Sequence, residues 1–161
     1  MTDTMAPVLG GAALAMSLIS FVFVARAAAP AGRYQIGTGT VYDTKTKLTW
    51  QQTVSSGTYT FDYSGSSSTS AQVYCASLSL SGGGWRVPTM KELPTLVDYS
   101  VASPGPTIDA SAFPNTPAVK FWSATPFVLG ARSVWLVDFS SGARVGAMVT
   151  TSTTMNVRCV R

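Results

Sequence analysis

A Trp-Arg-Val-Pro-Thr run, Trp85 to Thr89, preceded by Ser81-Gly82-Gly83-Gly84 and followed by Lys91-Glu92-Leu93, constrains the fold of this chain more than any other stretch. Glycines free the backbone ahead of it, and Trp85 brings a ring large enough to anchor a small core. Pro88 restricts Val87 to extended conformations, so a new element has to begin at Thr89. Thr89-x-x-Glu92 has the spacing of a capping box, in which two side chains satisfy orphan amides of a first helical turn. Arg86 is expected to tie that helix start to an acid such as Glu92, with surface anion binding as the alternative. The unit is a scaffold signal and carries no catalytic chemistry.

Elsewhere the pattern alternates between periods of two and of 3.6 residues. Val41-Tyr42 leads into Asp43 to Lys47, and Leu48-Thr49-Trp50 alternates after it, which predicts a hairpin. Thr58 to Tyr63 alternates strictly, as a strand or an ordered loop. Ala71, Tyr74, Cys75 and Leu78 then form one helical stripe, turning Cys75 inward. A second helix is expected from Thr89, burying Leu93, Leu96 and Val97, with Pro94 bending or delaying it. Val101 to Lys120, rich in proline, has no sustained period; a loop of this length on a compact domain is functional or mobile. The tail opens at Phe121-Trp122-Ser123 and predicts strands at Val134–Phe139, Ala143–Thr150 and Met155–Val160, with a turn at Ser140-Ser141-Gly142. Trp50, Trp85, Trp122 and Trp135 all sit in strand or anchor contexts, where core packing is favoured over stacking on a sugar.

The first residues differ from the rest. Pro7 to Val24 is almost wholly apolar, and Ala25-Arg26-Ala27 supplies an A-x-A cleavage site. Residues 1–27 are therefore expected to be a signal peptide, with a retained N-terminal anchor as the alternative, because the run is long enough to span a bilayer. No Lys or Arg precedes it, and Arg26 and Arg33 follow it, which on an anchored chain would keep the downstream side in the cytoplasm. Residues 28–33 would be a short linker, and 34–161 one domain with a single core.

Two cysteines, Cys75 and Cys159, lie far apart in the chain. In an exported domain a disulfide is the favoured use, with a free or metal-binding pair as the alternative. Histidine is absent, which excludes Ser-His-Asp and Cys-His nucleophiles and every histidine metal site. Gly82-Gly83-Gly84 lacks the Lys-Ser/Thr of a phosphate-binding loop. Asp98, Asp109 and Asp138 have no spacing that fixes a glycosidase pair. With Asn115 they are the only group around the long loop that could serve calcium, so no cofactor is expected and calcium is the lesser alternative. The net charge of +4 suits anionic glycans or surfaces, but without a dense basic stripe it does not suit nucleic acid.

The Trp-Arg-Val-Pro-Thr element, with Val41-Tyr42-Asp43, Leu48-Thr49-Trp50-Gln51-Gln52, Trp122-Ser123 and the ending Val157-Arg158-Cys159-Val160-Arg161, resembles the Lcl C-terminal domain family, the domain that ends a bacterial collagen-like adhesin. The resemblance runs from about Tyr34 to Arg161. It implies an α+β, C-type lectin-like fold with two helices, small antiparallel β-sheets and a long irregular loop. It also implies a bridge from the first helix to the last strand, and a ligand site in the long loop. Trp85, Arg86, Pro88, Thr89, Glu92 and Trp122 are its structural motif residues. The expected function is an exported ligand-binding or adhesion domain, not an enzyme, that recognises polysaccharide or another cell-surface molecule. It would be secreted, periplasmic or on the cell surface, and membrane-bound only if the N-terminal segment is retained. Lys120, Arg132 and Arg144, with Asp109 and Asn115 on the loop, are the expected ligand-binding residues. The competing class is a structural cell-envelope protein that self-assembles into homo-oligomers.

Overall fold

The computed structural model describes residues 29–128 and 132–161. The predicted signal peptide at 1–27 lies outside the described residues. Strands β1 (Tyr34–Ile36), β2 (Thr40–Asp43) and β3 (Leu48–Gln51) form one antiparallel sheet in the order β1-β2-β3. Strands β4 (Lys120–Pro126), β5 (Ser133–Asp138) and β6 (Ala143–Met148) form a second in the order β4-β5-β6. Between them lie helix α1 (Ala71–Ser77) and two single turns of tighter helix, Leu80–Gly82 and Leu93–Leu96. No helix among the described residues is long and apolar enough to cross a membrane.

The second sheet is buried on both faces, and its alternation sorts the core. Phe121 and Val137 point into one cluster with Val41, Trp50, Phe113 and Phe139. Trp122, Val134 and Leu136 point into the other, with Trp85, Ala71 and both cysteines. The C-terminal segment then joins the two sheets. Gln51 donates its N–H to the Cys159 carbonyl, Thr49 and Arg161 exchange backbone bonds, and Trp122 donates to the Asn156 carbonyl. The strand expected at Met155–Val160 is therefore present as isolated bridges to Trp50, Tyr59, Arg86 and Phe121.

The hairpin is where the pattern put it, with Lys47 in the left-handed region at φ 63°. Helix α1 also matches: Ser70 Oγ accepts from the Val73 N–H, and Ala71 and Cys75 are its buried residues. Cys75 and Cys159 form a disulfide.

The expected two-helix, C-type lectin-like α+β fold is not the one adopted. The chain has one seven-residue α-helix and two small three-stranded sheets. No α-helix starts at Thr89. Leu93 N–H does bond the Thr89 carbonyl, as an α-helix requires, but Pro94 has no N–H to offer Met90 and the chain continues as a single tighter turn over Leu93–Leu96. The capping box is also incomplete. Glu92 Oε2 accepts the Thr89 N–H at 2.7 Å, yet the Thr89 hydroxyl donates to the same carboxylate at 2.9 Å, so it does not cap the Glu92 amide.

The long loop is fastened rather than free. Gly105 donates to the Ser140 carbonyl, Thr107 to the Phe139 carbonyl and Asp98 to the Thr107 carbonyl. Ile108, Ala112 and Phe113 are buried in the core. The stretch expected as linker is fastened too: Arg33 pairs with buried Asp43 at 3.0 Å and donates to the Thr95 carbonyl at 2.6 Å.

Candidate functional site

Lys120 opens β4 and stands opposite Asp138, the last residue of β5, while Phe121 bridges Asn156 in the C-terminal segment. The three side chains line a groove of about 460 Å³ with Thr58, Val119 and Met155. Asp138 Oδ1 is committed to its own turn, accepting from the Ser140 N–H at 2.9 Å and the Ser140 hydroxyl at 2.6 Å. Oδ2 takes no hydrogen bond among the described residues, and no carboxylate among them lies within 4 Å of the Lys120 ammonium. The groove thus offers one cation, one carboxylate oxygen and one amide over an apolar floor, a set that fits a hydroxyl-rich ligand of modest size.

Arg132 and Arg144 do not join this groove. Directly paired residues share a face of a sheet: Arg144 pairs with Val137, whereas Lys120 pairs with Asp138, one row along, so the two cations lie on opposite faces. Arg132, at φ 59°, lines a separate depression of about 380 Å³ with Phe61, Asp62, Tyr63 and Thr150. Asn115 is exposed, also in the left-handed region at φ 56°. Asp109 is buried and accepts from Ser111, Ala112 and Ala29. Burial pushes its carboxyl up, but hydrogen bonds from Ser111, Ala29 and Ala112 outweigh that and hold it below the usual range.

Among the described residues no three acids or cysteines converge as a metal site. Four of the acids explain themselves locally. Asp62, Asp98, Asp109 and Asp138 each accept both the backbone N–H and the hydroxyl of a serine two residues on. Asp-x-Ser, repeated four times, is the signature of a side-chain-made turn, and it was readable in the sequence.

The structural motif residues are fixed by contacts of their own, outside the groove lining. Trp85, 3% exposed, donates its indole N–H to the Leu80 carbonyl at 2.8 Å, and Arg161 stacks over its ring at 5.5 Å. Arg86 makes a two-pronged pair with Glu92 at 2.8 and 2.6 Å. That pair, with the Thr89 N–H, overcomes partial burial and holds the Glu92 carboxyl down at about 2. The Pro88 carbonyl accepts from Ala124 on β4, and Trp122 donates to the Tyr59 carbonyl at 2.6 Å.

Sequence reasoning missed the burial of Arg158. It is fully buried, and its guanidinium donates to the carbonyls of Gln51 and Gln52 and to the Thr116 hydroxyl, over the Phe113 ring at 4.7 Å. No carboxylate pairs with it among the described residues, and burial pushes its pKa down.

No curated protein and no solved structure gives a significant match to the chain. A family model does: the Lcl C-terminal domain matches residues 39–161. That span takes in both sheets from β2 onward, the disulfide, the Trp85–Glu92 unit and every residue of the groove, and the chain belongs to the Lcl C-terminal domain family.

Proposed function

We propose that this is an extracellular, adhesin-like binding domain that recognises a polysaccharide or another cell-surface molecule through the Lys120–Asp138–Asn156 groove, without catalysis. Family membership and the disulfide support the extracellular, adhesin-like part. One observation carries the rest: the groove presents Lys120, Oδ2 of Asp138 and the Asn156 amide, unclaimed by other groups, over Val119 and Met155. Polar groups of this kind orient a sugar by hydrogen bonds while the apolar floor takes a ring face. With a single lysine, attraction to an acidic glycan is weak and falls steeply as salt rises, because screening acts over about 8 Å at physiological ionic strength.

The test is a glycan array read with the domain and with a Lys120→Ala/Asn156→Ala variant. Selective binding by the parent, reduced tenfold or more in a variant of unchanged melting midpoint, supports the proposal. Equal binding by both removes the groove from it. The second reading is self-assembly, favoured by the outer edge of β6, which pairs only with β5 and ends at Met148, 68% exposed. Concentration-dependent oligomers without glycan binding would select that reading instead.

A further inference from the structure

The Lys120 groove borders a ribbon that leads away from it. Tyr59 and Met155 each donate a backbone N–H to the other's carbonyl, at 2.9 and 3.0 Å, so they stand directly opposite in an antiparallel pair. Their neighbours Thr58, Thr60, Thr154 and Asn156 therefore share the other face of the ribbon. Thr58, Thr154 and Asn156 line the Lys120 groove. Thr60 lines a depression of about 260 Å³ with Phe61, Asp62 and Thr151. Those last three also border the Arg132 depression of about 380 Å³, so the two run into each other. A strip of hydroxyls thus leads from Lys120 at one end to Arg132 and Tyr63 at the other. Thr58 and Tyr63 are five residues apart, at most about 18 Å along an extended chain, which several linked sugars can cover.

The far end has the parts of a ring platform. Tyr63 is half exposed, and its ring meets Phe61 edge-on at 5.2 Å; Phe61 in turn lies 5.5 Å from buried Trp122, so the outermost ring is braced from the core. Arg132 has no carboxylate within 4 Å among the described residues, which leaves its guanidinium donors for a ligand. Charge along the strip is balanced. Asp138 lies in the groove with Lys120, and Asp62 in the depression with Arg132. The Ser64 hydroxyl and the Ser67 and Ser64 N–H groups hold the Asp62 carboxyl ionised, well below the usual carboxylate range. A polymer with an acid on every sugar would meet a carboxylate beside each cation, whereas hydroxyls can accept from the cation and donate to the acid. We propose that the Lys120 groove is one end of an extended cleft for an uncharged linear polysaccharide, whose chain crosses the face of Thr58 and Thr60 and stacks a sugar on Tyr63 beside Arg132. The proposal rests on the reading of the Lys120 groove as a glycan site and adds to it a second subsite and a class of ligand.

Two subsites joined by one ligand chain make affinity depend on length, because the second contact forms at a high effective concentration. The test is calorimetric titration of the purified protein with cello-oligosaccharides, chito-oligosaccharides and oligoalginates, each from two to about eight sugars long. In a neutral series the affinity is expected to rise about 100-fold from the shortest member to the longest. It should hardly change between low and high salt, since no ligand charge is there to be screened. Tyr63→Ala should remove about tenfold of the rise, and so should Arg132→Asn, a residue that tolerates the left-handed backbone at φ 59°, both at unchanged melting midpoint. A rise that survives both variants overturns the proposal. So does a neutral affinity independent of length in the parent, a result that needs no variant and leaves the Lys120 groove standing. A rise confined to the oligoalginates overturns the uncharged class. Absence of binding in all three series overturns the cleft as well, while array binding that Lys120→Ala/Asn156→Ala abolishes would still uphold the groove alone.

Discussion

Arg158 ties three segments with one guanidinium: the end of β3, the exit of the long loop and the C-terminal segment that carries Cys159. Arg158→Met would keep the apolar contact with Phe113 but strand the Gln51 and Gln52 carbonyls, while the Thr116 hydroxyl keeps its bond to the Phe113 carbonyl. The expected loss is about 3 kcal/mol, since each buried unsatisfied group costs about 1–3 kcal/mol; urea denaturation measures it. Glu92 makes a prediction against pH. Its carboxyl is held at about 2, below the usual 4.5, so its contribution is present above about pH 4.5 and lost as pH falls toward 2. Glu92→Gln should therefore lower the urea midpoint near pH 6 and hardly change it near pH 2. Arg86 is half exposed, so the effect at pH 6 is about 1 kcal/mol. Residue roles were unevenly legible. The Arg86–Glu92 pair was among the expectations for the start of the second helix, and the Asp-x-Ser turns could have been read from their spacing. The burial of Arg158 could not, because its acceptors are carbonyls more than a hundred residues away that no side-chain pattern encodes.

At the level of elements, what local chemistry dictates was readable: the hairpin, the Ser70-capped helix and the turn at Gly142. The second helix was lost to one missing N–H, that of Pro94, whose effect outweighed the apolar spacing around it. The fastening of the long loop went unread for a different reason. Its anchors are backbone groups of β5 and of the turn after it, so nothing in its own composition announces them. Gly105→Ala tests how much that anchoring matters. A Cβ there would lie 2.3 Å from the Thr107 nitrogen and 2.5 Å from the Phe139 oxygen, both backbone atoms that cannot swing aside. The loop would have to lift from β5, and a loss of about 2–3 kcal/mol is expected in thermal or urea unfolding. The Lys120 groove lies where the loop runs into β4, so its ligand affinity should fall in the same variant. An unchanged melting midpoint would mean that the loop is not held by this contact.

On the scale of the whole molecule, the two sheets share no long interface of paired strands. Strong element contacts run only within each sheet, and the sheets meet through the shared cluster of Val41, Trp50, Phe121 and Val137 and through the backbone bonds of the C-terminal segment. The two-helix, C-type lectin-like fold that the resemblance implied was wrong, while the cysteine pairing was right. Periodicity reports which face of an element is buried, whereas the packing of two small sheets through an irregular segment depends on contacts between distant parts of the chain. The disulfide closes a separation of 84 residues and joins α1 to that segment. On chain-entropy grounds its loss should cost about 4–5 kcal/mol, comparable with the entire stability of a small domain. Cys75→Ser/Cys159→Ser, or the parent under reducing conditions, should therefore be largely unfolded or melt many degrees lower by circular dichroism. The Trp122 and Trp85 environments, which share the cluster with the bridge, should be lost in the same transition. If the reduced protein instead kept its midpoint, the backbone ladder of Thr49, Gln51 and Arg86 with residues 159–161 would suffice to hold the sheets together.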